Sequence, residues 1–171
     1  MRLVVLLLCM FFPALLPAQV EGEDRGYIVK VGDMCPDFVI KTPDGDITSM
    51  NELRGKVVML QFTASWCGVC RKEMPHIEKD IWQVYKDKGL VLYGIDRGET
   101  PEVTKAFANK MKITYPIALD EDESIFQKFA LKKAGVTRNI LVDREGKIVY
   151  LTRLFNMEEF KGLVKKIGDL L

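Results

Sequence analysis

Two cysteines, Cys67 and Cys70, are separated by only two residues and can react with each other. A dithiol at this spacing can close into a disulfide and open again, so it can exchange electrons with a disulfide of another molecule. The same spacing occurs in zinc sites, but zinc needs two more ligands. The sequence has one histidine and no second pair of cysteines at this spacing. A purely structural disulfide is the other alternative, although so short a loop stabilises a fold little.

A strand and a helix must position this pair. The apolar run at residues 57–62 is too short for a helix and predicts a buried strand. After the pair, a helix is predicted over about residues 68–88, kinked at Pro75, because apolar residues recur at helical spacing: Met74, Ile77, Ile81, Trp82 and Tyr85. The cysteines therefore lie at a strand-to-helix junction, where free amides and the helix dipole stabilise a thiolate.

The two cysteines are expected to have different roles. Cys67 is nearer the open end of the helix and is the predicted nucleophile, while Cys70 is the predicted resolving thiol. Glu73 follows Cys70 by one turn on the same helix face. Burial near a thiolate should raise the pKa of this carboxyl, so that Glu73 can take the proton that Cys70 must lose. The alternative for Glu73 is a surface ion pair with Lys72 or Lys79.

Composition limits the function classes. The 171 residues are 48% hydrophobic, which is typical of one globular domain with a sizeable core. With 25 basic and 24 acidic residues, the net charge is +1. This balance argues against nucleic acid as a partner, and we expect neither a cofactor nor a metal.

The N-terminus has the pattern of an export signal. Met1-Arg2 is followed by an apolar run at residues 3–16 and by Pro17-Ala18-Gln19, which predicts a secretory signal peptide over residues 1–19. The run is too short to span a bilayer easily. Residues 20–30 are predicted to be a flexible lead-in, and residues 31–171 the folded domain. Export would place Cys35, Cys67 and Cys70 where disulfides persist. Cys35 is interpreted as a buried thiol, with a role as a third redox thiol as the alternative.

The segment Phe62-Thr63-Ala64-Ser65-Trp66-Cys67-Gly68-Val69-Cys70 resembles the active site of thioredoxins. Residues 70–75 resemble the TlpA/ResA-like branch of extracytoplasmic thiol–disulfide oxidoreductases, and residues 31–38, 53–58 and 141–149 agree with it. The resemblance covers residues 31–171. It implies a thioredoxin-like α/β fold, with a mixed β-sheet flanked by helices on both faces and an N-terminal β-hairpin. It also implies an extracytoplasmic enzyme that reduces disulfides of exported proteins with electrons from a membrane donor. The N-terminal pattern predicts that this enzyme is periplasmic, and membrane-anchored if the signal is not cleaved.

The resemblance assigns further site residues. Trp66, Gly68 and Val69 are expected to contact substrate. Gln61 stands where thioredoxins have a buried Asp, and an amide cannot take over its proton transfer.

The largest departure from the family is Thr137, which replaces a cis-proline in a loop facing the cysteines. A cis bond before a residue other than proline costs about 2.5–4 kcal/mol, so we expect a trans bond here. Thr137 and Arg138 are expected to take part in substrate binding. Arg138 would add positive charge near the thiols, or else form a surface salt bridge.

Patterns elsewhere complete the predicted fold. A hairpin is expected around Pro43-Asp44-Gly45, followed by a turn of helix at residues 50–53. Further strands are expected at 90–95, 115–119, 140–142 and 148–151, and further helices at 101–112, 122–131 and 157–171.

Two other functions remain open. A peroxiredoxin-like peroxidase is one, but Ala64 stands where such enzymes have the Thr of a Thr-x-x-Cys motif. A non-enzymatic module that binds a partner or carries a metal through Cys67 and Cys70 is the other.

Overall fold

The reactive pair lies at the end of the central strand of a five-stranded mixed sheet. A computed structural model of the chain describes residues 25–171. Its main strands are β3 (Val57–Thr63), β4 (Leu90–Arg97), β5 (Ile117–Asp120), β6 (Arg138–Val142) and β7 (Ile148–Arg153). Their spatial order is β5-β4-β3-β6-β7, with β3, β4 and β5 parallel and β6 antiparallel to both its neighbours. The central strand predicted at residues 57–62 is confirmed as β3. The four strands predicted after it are also confirmed, as β4 to β7.

Strand β3 is buried along its whole length because both faces of the sheet are covered. Its side chains alternate between two apolar clusters: Val58, Leu60 and Phe62 join one, and Val57 and Met59 join the other. A continuous apolar run is typical of such a central strand.

One continuous helical path follows the pair, as predicted. It consists of helix α1 (Gly68–His76), a π turn (Ile77–Trp82), helix α2 (Gln83–Tyr85) and a 3-10 turn (Lys86–Lys88). Gly89 ends it in the left-handed conformation, with φ of 98°. The kink expected at Pro75 is thus accompanied by a wide π turn directly after it.

The remaining elements cover the two faces of the sheet. Helices α1, α3 (Pro101–Met111) and α4 (Met157–Leu170) contribute to one apolar cluster. The other cluster includes residues of the hairpin of β1 (Val39–Lys41) and β2 (Ile47–Ser49), and of a 3-10 turn (Phe126–Lys128). The fold class is therefore confirmed: a thioredoxin-like mixed sheet with helical elements and an N-terminal hairpin.

The helix predicted over residues 122–131 is wrong. Only the 3-10 turn forms there, because the Asp120 carboxylate accepts hydrogen bonds from the amides of Ile125 and Phe126, both at 2.8 Å. Glu123 also has a φ of 62°, which a continuing α-helix does not allow. Residues 50–53 likewise form a hydrogen-bonded turn instead of helix.

Residues 25–30, which the sequence predicted to be part of a flexible lead-in, contact the folded domain. The predicted signal peptide at residues 1–19 lies outside the described residues. Arg25 pairs with Glu159 at 2.6 Å, and the Tyr27 hydroxyl donates to the Thr152 carbonyl. Residues 25–30 therefore pack against the domain that was expected to begin at residue 31. Within residues 25–171, no helix has the length and apolar character needed to cross a bilayer.

Candidate active site

Cys67 and Cys70 are joined by a disulfide at the start of α1. Cys67 is the N-cap residue of this helix, and its Sγ accepts a hydrogen bond from the Cys70 amide at 3.1 Å. In the reduced protein this amide can stabilise a Cys67 thiolate. Cys67 is 7% exposed and Cys70 is fully buried. This asymmetry places Cys67 nearer to an incoming partner, as the predicted nucleophile should be.

The loop before the pair is held by Glu99, a residue that the sequence did not indicate. The amide and the hydroxyl of Ser65 both donate to the Glu99 carboxylate, each at 2.6 Å. Arg71 donates from Nη1 to the Ser65 carbonyl, also at 2.6 Å. These contacts fix the backbone that presents Trp66, whose side chain is 62% exposed beside the disulfide. A large exposed aromatic at this place can contact a docked polypeptide.

Thr137 touches both reactive sulfurs. Its Oγ1 lies 3.2 Å from Cys67 Sγ and 3.3 Å from Cys70 Sγ, and the side chain is buried. Residues 25–171 contain no cis peptide bond, so the bond before Thr137 is trans, as expected. A hydroxyl carries one donor hydrogen, so Thr137 can donate to whichever sulfur is charged.

Replacing Thr137 with Val should weaken the nucleophile, because Val keeps the shape but has no hydroxyl. A hydrogen bond to a charged group contributes about 1.5–3 kcal/mol, so the Cys67 thiolate fraction at mildly acidic pH should fall about tenfold. The rate of Cys67 alkylation by iodoacetamide across pH measures this. Thr137→Ser, which retains the hydroxyl, is the matched control. Equal alkylation profiles for the Val variant and the wild type would contradict a role for the hydroxyl.

Glu73 is buried, which excludes the surface ion pair considered from the sequence. Asn139 Nδ2 donates to Glu73 Oε1 at 2.7 Å, while Glu73 Oε2 has no hydrogen-bond partner among the described residues. Burial raises the pKa of this carboxyl to about 7, and the hydrogen bond from Asn139 only partly opposes it. One helical turn separates Glu73 from Cys70. A carboxyl that titrates near neutrality is well suited to exchange a proton with a buried thiol.

Glu73 belongs to a buried polar cluster beneath α1. Tyr115 donates its hydroxyl to Gln61 Oε1 at 2.7 Å, and Asn139 Nδ2 also contacts Thr152 Oγ1 at 2.9 Å. Gln61 and Asn139 are paired directly across β3 and β6. The sequence indicated Gln61 and Glu73 but missed the other three. The available signal for this cluster was a polar residue inside each of two apolar strands, Gln61 in β3 and Asn139 in β6.

Arg138 is not placed as the sequence suggested. Its side chain is fully buried under the Tyr27 ring, 4.3 Å from the guanidinium carbon to the ring centroid. It therefore cannot form a surface salt bridge, and no contact joins it to either sulfur. Gly68 leaves open space, since a Cβ there would meet only Arg71 Nη2, at 3.8 Å. Val69 is half-buried and packs against the apolar cluster that includes both cysteines.

Cys35 is the one cysteine of residues 25–171 that lies outside the reactive pair. Cys35 is a buried free thiol, and burial raises its pKa to about 12. Among residues 25–171, no group of three or more His, Cys, Asp or Glu side chains is arranged to hold a metal ion.

The chain is similar in sequence and structure to known thiol–disulfide exchange proteins. Residues 31–151 match the model of the AhpC/TSA family. The chain is 30% identical over 140 residues to thiol-disulfide oxidoreductase ResA of Bacillus thuringiensis, covering 81% of this chain and 79% of that protein. It is 60% identical to a candidate protein disulfide isomerase from Bacteroides thetaiotaomicron, with a TM-score of 0.83 and coverage of 85% and 92%. The thioredoxin domain of a thiol-disulfide oxidoreductase from Bacteroides vulgatus is 27% identical, with a TM-score of 0.69 and coverage of 81% and 98%.

Proposed function

Because this chain belongs to the AhpC/TSA family and is a thiol–disulfide oxidoreductase, we propose that it works outside the cytoplasm and reduces disulfides of other exported proteins. The observation that carries the proposal is the position of Cys67 at the N-cap of α1, where its sulfur accepts the Cys70 amide. Such a sulfur is a good nucleophile toward a partner disulfide.

The first step forms a mixed disulfide. The Cys67 thiolate attacks one sulfur of the partner's disulfide, a bond forms between them, and the partner's other sulfur leaves as a thiolate. The Thr137 hydroxyl and the Cys70 amide both contact the Cys67 sulfur and hold it in place. Trp66 offers an exposed surface beside it for the partner chain.

The second step releases the partner. Cys70 passes its proton to Glu73, and its thiolate attacks Cys67 Sγ. The bond between Cys67 and the partner breaks, and the partner's second sulfur leaves as a thiolate. The chain is left with the Cys67–Cys70 disulfide, having given two electrons to the partner. A dithiol donor, which we assign to a membrane protein, must then reduce this disulfide again.

The proposal of export rests on the predicted signal peptide at residues 1–19 and on the chemistry of the compartment. Protein disulfides that need reduction occur mainly where the environment is oxidising. The periplasm is therefore the proposed site of action, with anchoring to the membrane if the signal is retained.

The equilibrium reduction potential of the Cys67–Cys70 pair tests the direction of electron flow. Measured in glutathione or dithiothreitol buffers, it should lie nearer the thioredoxin value of about −270 mV than the strongly oxidising value of about −120 mV. Cys70→Ser, which cannot form the internal disulfide, supplies the baseline. A value near −120 mV would reverse the assignment to an oxidase or isomerase.

A further inference from the structure

An open cavity of about 650 Å³ lies beside the active site and is rich in arginine. Its walls are formed by Arg25, Gly26, Ala134, Gly135, Arg138, Arg153 and Leu154. Within residues 25–171 no acidic side chain lines it. Of the residues described for the active site, Arg138 alone also lines this cavity, and Arg138 does not contact the sulfurs.

The positive charge at this cavity is only partly neutralised. Arg25 is paired with Glu159 at 2.6 Å. Within residues 25–171 neither the Arg138 nor the Arg153 guanidinium pairs with a carboxylate, although the Arg153 amide donates to Glu159 Oε2 at 3.3 Å. Arg138 is fully buried, and its Nη1 and Nη2 have no hydrogen-bond partner in the described part of the chain. Burial lowers the pKa of Arg138, and the charge of Arg153 lowers it further. An anion in the cavity would offset this repulsion.

The backbone leaves room for these guanidinium groups. A Cβ at Gly26 would lie 2.9 Å from Arg138 Nη2, and a Cβ at Gly135 would collide with Arg153 Nη2. Gly26 also has a φ of 72° and faces a fully buried arginine, so glycine suits that position, whereas the Arg153 side chain could move away from a Cβ at Gly135. Arg138 is a fully buried part of the cavity wall, so its charge acts from within, whereas the half-buried Arg153 can reach a bound group directly.

One residue connects the cavity to the disulfide. The Thr137 carbonyl accepts hydrogen bonds from the Leu154 amide at 3.1 Å and from Arg153 Nη1 at 3.5 Å. The hydroxyl of the same residue touches both sulfurs. Thr137 therefore contacts the disulfide through its side chain and two cavity residues through its backbone, which places the cavity within reach of a polypeptide docked at Cys67. The exposed Leu154 adds apolar contact area at the cavity.

We propose that the arginine-lined cavity binds a carboxylate-bearing segment of the partner, so that acidic residues near the target disulfide favour its reduction by this chain. The inference rests on the proposed function and adds a substrate class to it. Opposite charges across an interface speed encounter and fix register. Arg153 would make the direct contact with the carboxylate, and the charge of Arg138 would strengthen it from behind.

Synthetic peptides test this proposal. Each carries one cysteine in a mixed disulfide with 2-mercaptoethanol, flanked by Asp and Glu in one peptide and by Asn and Gln in the other. We expect kcat/KM for the acidic peptide to exceed that for the neutral one by about tenfold at low ionic strength. The ratio should approach one near 1 M salt, where the screening length is roughly 3 Å.

Two arginine variants test whether the preference for acidic peptides arises at the cavity. Arg153→Gln should lower the ratio of acidic to neutral rates by about threefold, the size expected for one partly exposed charge. Arg144→Gln is the matched control, because it removes the same charge in the turn that joins β6 to β7, at the other end of β6, and should leave the ratio unchanged. A ratio near one for the wild type, or equal effects of the two variants, would overturn the proposal.

Two further readouts separate this inference from the proposed function. Reduction of the neutral peptide tests the oxidoreductase activity by itself. Binding of an acidic peptide with Ser in place of Cys, followed by tryptophan fluorescence at low salt, tests the cavity without any exchange chemistry. If the preference for acidic peptides emerges only after Glu21, Glu23 and Asp24 are neutralised, the chain's own acidic segment fills the cavity, and the proposal is wrong.

Discussion

A Cys67→Ala variant should lose at least about a thousandfold in the rate of disulfide reduction, because neither of the other two cysteines among residues 25–171 is placed to form the mixed disulfide. Cys70 is fully buried beneath it, and Cys35 is buried with its pKa raised to about 12. A Cys70→Ser variant should instead stop after the first step, because nothing then displaces the partner from Cys67. A mixed disulfide with the substrate should accumulate, and non-reducing electrophoresis with mass spectrometry detects it.

Cys35→Ala is the matched control for these two variants, since it also removes one thiol and lies outside the site. It should reduce the substrate at nearly the wild-type rate. Turnover by Cys67→Ala would contradict the assignment of the nucleophile. Failure of Cys70→Ser to trap any partner would contradict the assignment of the resolving thiol.

A Glu73→Gln variant should slow the release of the mixed disulfide by about a hundredfold, the lower range for a general base. The pKa of Glu73 is raised to about 7 by burial, so the wild-type rate of this step should increase with pH through neutrality as the carboxylate forms. In the variant only the Cys70 thiol itself titrates in this step, so the increase should move to higher pH. Single-turnover kinetics between mildly acidic and mildly alkaline pH measures both effects.

The same variant should change how stability depends on pH. The folded protein holds the Glu73 proton up to a pKa of about 7, whereas the unfolded chain releases it near the ordinary value of 4.5. Unfolding therefore releases a proton between these values, so the free energy of unfolding should decrease as pH rises through this range, by about 3 kcal/mol in total. Urea unfolding of the oxidised protein should show a smaller decrease for Glu73→Gln than for the wild type. The decrease that remains in the variant comes from the buried Asp96, whose pKa is also raised to about 7.

Glu121→Gln is the control for both measurements, because Glu121 is an exposed glutamate. It should behave like the wild type. If Glu73→Gln left both the rate of release and the pH dependence of stability unchanged, Glu73 would be a buried structural residue without a part in proton transfer.

Local sequence patterns were sufficient for the parts of the site that are close together in the chain. The apolar run before Cys67 and the helical spacing after Cys70 predicted the strand, the helix and the junction between them. The same reasoning placed Glu73 one turn beyond Cys70 on the buried face.

Contacts between distant segments could not be predicted in this way. Asn139 reaches Glu73 only because β6 pairs with β3 in the register that sets Gln61 opposite Asn139. The hydroxyl of Thr137 meets the sulfurs through the path of the loop before β6, whereas the sequence showed only a missing proline. The helix expected at residues 122–131 failed for a related reason, because the Asp120 side chain takes up the amides at its start. Apolar spacing alone does not show that competition.

The π turn at Ile77–Trp82 affects how insertions and deletions could be tolerated in this fold. A π turn closes its hydrogen bonds over five residues instead of four, so it holds one residue more than an α-helical turn. Loss of one residue here would convert it to an ordinary turn, while Cys70 before it and β4 after it could stay in place. The segment can therefore act as a spacer that absorbs a one-residue change in length between the active site and the next strand.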